Sequence, residues 1–91
     1  MSDQSQPKVT VYSTSWCAFC HTEMQWLDQL GVPYIEKNIE TDAAALEELL
    51  EKTGGEQNAP ITDIGGDIIA GFDRPRILAA LKAHGIYTPK N

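Results

Sequence analysis

The chain's thiol chemistry is confined to one short stretch, Trp16-Cys17-Ala18-Phe19-Cys20-His21. Two cysteines separated by two residues and followed by histidine match the pattern that attaches a c-type haem. Without the histidine, the same spacing is that of a thiol–disulfide redox pair. The haem reading needs both sulfurs to reach vinyl groups, His21 to bind iron axially, and Met24 or His84 to serve as sixth ligand. A zinc reading would add His21 and His84 to the two sulfurs, which is a weak ligand set. No other cysteine is present, so there is no disulfide framework of the kind small secreted domains carry. In a reducing cytosol such a pair serves metal binding or catalysis.

The elements that must position this pair come from a small chain. Its 91 residues allow one domain with one core, and 42% hydrophobic with 22% charged residues describes an ordinary soluble protein. A formal charge of −6 excludes the basic face that nucleic-acid binding requires. No apolar run approaches the ~20 residues of a membrane span. Met1 to Lys8 lacks the charged and apolar regions of a secretory signal. A cytoplasmic protein is therefore expected, which weighs against haem, because its attachment follows export.

Residues 1–7 read as a loose, disordered tail, 8–86 as the folded domain and 87–91 as a second loose end. "KVTVYS" alternates and carries β-branched residues, so it reads as a strand. The period then changes: Cys20, Met24, Leu27 and Leu30 form one apolar helical stripe, and Gly31 stands where that helix should stop. "VPYIEKNI" reads as a second strand. Thr41 or Asp42 caps a helix bearing Leu46, Leu49 and Leu50, which Gly54 ends. "PITDI" and "DIIAGF" are strands joined by the Gly65-Gly66 turn. Asp73 caps a last helix carrying Ile77, Leu78 and Leu81, with Gly85 after it. The order β-α-β-α-β-β-α implies a four-stranded mixed sheet with helices on both faces.

In this order the cysteines fall where the first strand hands over to the first helix, which favours redox over haem. Unpaired N–H groups and the positive end of the helix favour a thiolate at Cys17. Cys20, one turn deeper on the same face, can attack a mixed disulfide formed at Cys17. His21 is then a surface residue of the helix.

From Lys8 to about Gly85 the chain resembles the glutaredoxin family, which has a thioredoxin-like fold. "VTVYSTSWCAFC" resembles its opening strand and dithiol motif, and "GVPYIEKNIETDAAALEELL" its second strand and helix. Pro60 resembles the family's cis-proline, with the hairpin "IGGDIIAGFD" at the expected offset. "YSTSWC" and "TGGEQNAP" look most like actinobacterial mycoredoxins, which use mycothiol. The resemblance implies a dithiol oxidoreductase acting on protein disulfides or mixed disulfides with a low-molecular-weight thiol. Cys17 would be the nucleophile and Cys20 the resolving thiol, forming a Cys17–Cys20 disulfide. Ala59, before a cis Pro60, would present its backbone to the substrate as an added strand. Trp16, Ala18 and Phe19 would form an apolar rim. Gly71, Phe72 and Asp73 would hold a carboxylate of the thiol at a helix start. Thr14 stands where many members carry a thiol-binding lysine, Asn58-Ala59 replaces the usual Thr-Val, and Arg74 replaces a common second acid. The implied electron donor is glutathione, mycothiol or a thioredoxin reductase, with no covalently bound cofactor, no bound metal and a monomeric chain.

Two rival readings are an iron–sulfur carrier, in which two chains share a cluster through Cys17 and a thiol, and a non-catalytic module with inert cysteines. Asp63 stands mid-strand where the family has an apolar residue. It is expected to reach water at the sheet's rim, the alternative being a buried proton relay near the dithiol. Trp26, off the apolar stripe, is expected to pack at a helix edge.

Overall fold

A computed structural model of the chain describes residues 8–56 and 58–87. The tail expected at 1–7, and all but the first residue of the one expected at 87–91, lie outside them. Seven elements follow in the expected order: β1 Val9–Ser13, α1 Ala18–Leu30, β2 Ile35–Asn38, α2 Ala43–Thr53, β3 Ile61–Ile64, β4 Asp67–Ala70 and α3 Arg74–Ala83. The sheet order is β2-β1-β3-β4. β1 runs parallel to β2, with Thr10 opposite Ile35, because the α1 crossover separates them. β3 is antiparallel to both neighbours and sets Thr62 between Val11 and Ile69.

Strand alternation divides the interior in two. Val9 and Val11 of β1 face Cys20, Met24 and Leu27 of α1 and Ile77, Ala80 and Leu81 of α3. Tyr12 and Ile61 turn to the other face, against Ala45 and Leu49 of α2. The central β3 is covered on both faces, so all four of its residues are buried.

Local chemistry fixes the ends of the helices. Asp42 accepts N–H bonds from Ala44 and Ala45 at 3.1 and 3.2 Å, which caps α2. Asp73 caps α3, whose first turn holds Pro75 where no backbone bond is lost. The Gly65-Gly66 turn has φ of 58° and 105°, a conformation that side chains rarely adopt.

Three expectations need correction. The second strand covers Ile35–Asn38 rather than all of "VPYIEKNI": Val32 instead turns into the core, and its N–H bonds Leu27 O at 3.0 Å. β4 stops at Ala70: the Gly71 N–H still bonds Pro60 O at 2.8 Å in the same register, but Pro60 has no N–H to return and the ladder ends there. In α1 Glu23 joins Cys20, Met24 and Leu27 among the buried residues, while Leu30 packs half-buried against the same core.

Candidate redox site

Cys17 is the N-cap of α1, and its Sγ accepts the Cys20 N–H at 3.0 Å. A helix start offers four N–H groups without internal partners, and a sulfur takes one of them here. The first turn of α1 carries no acidic residue, so the positive end of its dipole acts on the sulfur unopposed. The two sulfurs are bonded to each other across a Cα–Cα distance of 5.2 Å. Cys17 is half-buried, whereas Cys20 is 0% exposed.

The loop that presents Cys17 is pinned from both sides. The Cys17 N–H bonds Thr14 O at 3.3 Å. The Ser15 N–H bonds the Glu40 carboxylate at 2.9 Å, and Asn38 donates to the Ser15 hydroxyl at 3.2 Å. Trp16 and Phe19, on either side of Cys17, are 88% and 66% exposed, and Ala18 between them is exposed too.

A second loop closes on the same side of the sheet. The Ala59–Pro60 bond is cis. Pro60 is buried, and its carbonyl takes the Gly71 N–H, tying the residue before β3 to the residue after β4. Ala59, Phe72 and Cys17 all pack against the α1–α3 core. The Asp73 carboxylate accepts the Arg76 N–H at 3.3 Å, so the acid occupies part of the anion-attracting end of α3. The Arg74 guanidinium lies 5.6 Å from the Trp26 ring and 5.3 Å from Phe72, while Trp26 meets Phe72 edge-on at 5.7 Å. Trp26 is thus a packing residue at the helix edge.

The histidines do not gather at the sulfurs. His21 is exposed on α1, and His84 contacts Asp67 at 2.9 Å beside the hairpin. Among the described residues no three His, Cys, Asp or Glu side chains converge to hold a metal.

Asp63 departs from expectation. It is 9% exposed rather than open to water. Lys52 of α2 reaches it at 2.5 Å, and the Gly66 N–H bonds it at 2.9 Å. It turns toward α2, away from the core that holds Cys20. Lys52 also donates to Tyr12 at 2.8 Å, and Tyr12 donates to Glu48 at 2.5 Å. Burial works against the Lys52 charge, but bonds to Asp63, Tyr12 and Glu48 raise its pKa above the usual lysine value. Hydrogen bonds from Tyr12 first and Lys37 second lower Glu48 to about 2.

Glu23 is the residue that sequence reading missed. It is 0% exposed, one helical turn beyond Cys20, and accepts a short hydrogen bond from the Thr62 hydroxyl. Its other oxygen, Oε1, is buried and has no hydrogen-bond partner among the described residues. Burial raises its carboxyl above the usual range, and the Thr62 bond offsets part of that rise. A polar residue inside the Cys20–Met24–Leu27 stripe was the available signal.

The glutaredoxin family model matches residues 9–69. The chain belongs to the glutaredoxin family. It is 34% identical to a glutaredoxin of Ricinus communis over 71 residues, 76% of this chain and 70% of that protein. It is 30% identical to an uncharacterized glutaredoxin-like 8.6 kDa protein of Clostridium pasteurianum, covering 76% of this chain and 91% of the relative. Among solved structures, a thioredoxin-like protein superposes with a TM-score of 0.74 at 30% identity, over 81% of this chain and 100% of that one. A buckwheat glutaredoxin–glutathione complex gives 0.68 at 25% identity, over 89% and 82%. Family, fold and the Cys17–Cys20 pair together make this glutaredoxin a thiol–disulfide oxidoreductase with a thioredoxin-like fold. They do not favour the iron–sulfur reading.

Proposed function

We propose that Cys17 is the attacking thiolate and Cys20 the resolving thiol, acting on protein disulfides and on mixed disulfides between proteins and a low-molecular-weight thiol. The observation that carries this assignment is the difference in access between the two sulfurs, one half-buried at the helix start and one sealed beneath it. The Cys17 thiolate attacks a substrate sulfur, a new S–S bond forms, and the other substrate sulfur leaves as thiolate. Cys20 then attacks the Cys17 sulfur, the second substrate sulfur departs, and the Cys17–Cys20 disulfide holds the oxidising equivalents. A donor thiol or dithiol returns the two electrons.

Trp16, Ala18 and Phe19 supply an apolar rim for the substrate, and Ala59 its backbone partner. Thr14, Gly71, Phe72 and Asp73 meet the polar ends of the donor thiol. The glutathione complex of the buckwheat relative supports a low-molecular-weight thiol as one donor class. Thr14 brings a hydroxyl but no charge. An exposed ion pair is worth only ~0.2–1 kcal/mol, so a missing lysine weakens glutathione a few-fold without excluding it. Mycothiol, or a flavin-dependent thioredoxin reductase, is the donor this site suits better. The enzyme acts as a monomer in the reducing cytosol.

A coupled turnover assay with glutathione, mycothiol and thioredoxin reductase tests the donor. Glutathione should be slowest and should gain on Thr14→Lys. Glutathione turnover equal to the other donors and unmoved by Thr14→Lys would overturn this assignment.

A further inference from the structure

Glu23 is a carboxylic acid in a place built for an aliphatic side chain. β1 turns Val9 and Val11 toward this core and α3 turns Ile77, Ala80 and Leu81, while the buried Ser13 at the end of β1 gives its hydroxyl to the Glu36 carboxylate of β2 at 2.9 Å. β3 contributes Ile64 and Thr62, and the Thr62 hydroxyl satisfies only one carboxyl oxygen. The charged Lys52–Asp63 pair belongs to the opposite face, against α2. Among the described residues, Cys17, Tyr34 and Tyr87 pack half-buried against this core, and the fully buried titratable group sharing the α1 stripe with Glu23 is Cys20.

Helix geometry brings these two groups together. Residues three apart on a helix lie roughly 5–6 Å apart at Cβ. Helical side chains also lean back toward the N-terminus, over the residues three and four before them. Glu23 therefore leans over the turn of Cys20. In the disulfide form the Cys20 sulfur has no proton to give, and Glu23 Oε1 is buried without a partner among the described residues. A buried oxygen left unpaired costs free energy, and opening the disulfide creates one new donor one helical turn away on the same buried face, the Cys20 thiol.

We infer that Glu23 takes the proton from the Cys20 thiol as Cys20 attacks the mixed disulfide, and returns it when the disulfide is reduced. The step balances without an outside base. The Cys20 S–H proton passes to the Glu23 carboxylate, and the Cys20 sulfur bonds the Cys17 sulfur. The Cys17–substrate bond breaks, and its electron pair leaves on the substrate thiolate. Glu23 ends neutral, the form that an apolar surrounding favours. On reduction an incoming thiolate takes Cys17, and the Cys20 sulfur departs carrying the Glu23 proton.

The inference rests on Cys20 being the resolving thiol, and the experiment separates the two claims. The full chain is reacted with a glutathionylated peptide. Formation of the mixed disulfide at Cys17 and its resolution are followed separately by quenched-flow mass spectrometry across pH. Glu23→Gln preserves size and can still accept the Thr62 bond. It should leave the first step unchanged and slow the second about 100-fold, the lower end of what a positioned base supplies. The rising limb set by Glu23 should be lost in this variant, leaving only a rise at higher pH with ionisation of the Cys20 thiol itself. Thr62→Val retains the carboxyl but removes the bond that lowers its pKa, so that limb should move to higher pH. Oxidised-minus-reduced infrared spectra should show a protonated carboxyl band that Glu23→Gln lacks. Resolution within about threefold of wild type across pH in Glu23→Gln, or a pH limb unmoved by Thr62→Val, overturns the role of Glu23 and leaves Cys20 as resolver. Full resolution in Cys20→Ser overturns the role of Cys20 itself.

Discussion

Cys17 and Cys20 sit one helical turn apart but differ in access to solvent, and that difference separates their variants. Cys17→Ser should abolish exchange, since no other thiol reaches a partner sulfur. Cys20→Ser should stop turnover on protein disulfides while leaving a mixed disulfide on Cys17, visible as added mass on the intact chain. Equal inactivity of both variants toward a glutathionylated peptide would refute the division of roles. His21→Ala should retain most exchange activity, because the His21 side chain is exposed on α1. At this scale the sequence shows the cysteines plainly, since their spacing and their place after a strand are both local signals. It conceals Glu23 and the Asp63 partner for a physical reason. Whether a carboxylate is buried depends on which face of a distant strand or helix meets it, and Thr62 and Lys52 lie 39 and 11 residues away from their partners.

Elements end where side chains satisfy or interrupt their backbones, and each such device has a measurable weight. Asp42→Ala removes the acceptor of two N–H groups at the start of α2 and should cost about 1 kcal/mol in denaturant unfolding. Gly65→Ala should cost about 1–2 kcal/mol from its left-handed backbone alone. A methyl there would also stand 2.6 Å from the His84 ring, so the added clash should show as a further drop in melting temperature, relieved in part by His84→Ala. Aspartate before an apolar period, glycine after one, and a Gly-Gly pair between strands are short-range rules, which is why the order of all seven elements was legible. The length of β2 was not. Val32 and Tyr34 suit a strand by composition, but Val32 is drawn into the core by its bond to Leu27, a choice made by packing rather than propensity.

The whole molecule places one ionisable cluster on each face of its sheet, and the two respond to pH with opposite sign. Glu48 falls from 4.5 to about 2 on folding, so the stabilisation it brings is complete above 4.5 and disappears as pH drops through about 2. The stability gap between wild type and Glu48→Gln should therefore close with acidification, as read by urea unfolding at a series of pH values. Glu23 has a raised value in the fold. Its favourable contribution is complete below 4.5 and is lost as pH climbs through the raised value, so Glu23→Gln should gain on wild type as pH rises above 4.5. The two clusters meet at β3, where Thr62 points to Glu23 and the very next residue, Asp63, points to Lys52. Sliding β3 by one residue along its neighbours would exchange these faces. It would press Asp63 against Glu23 in an apolar interior and leave Lys52 facing no acid of the strand. The slipped pairing keeps most of its backbone bonds yet is penalised by like charges with no water between them. Polarity along a four-residue strand thus acts as a key that admits one alignment. The double exchange Thr62→Asp with Asp63→Thr, identical in composition, should melt far below wild type or fail to fold.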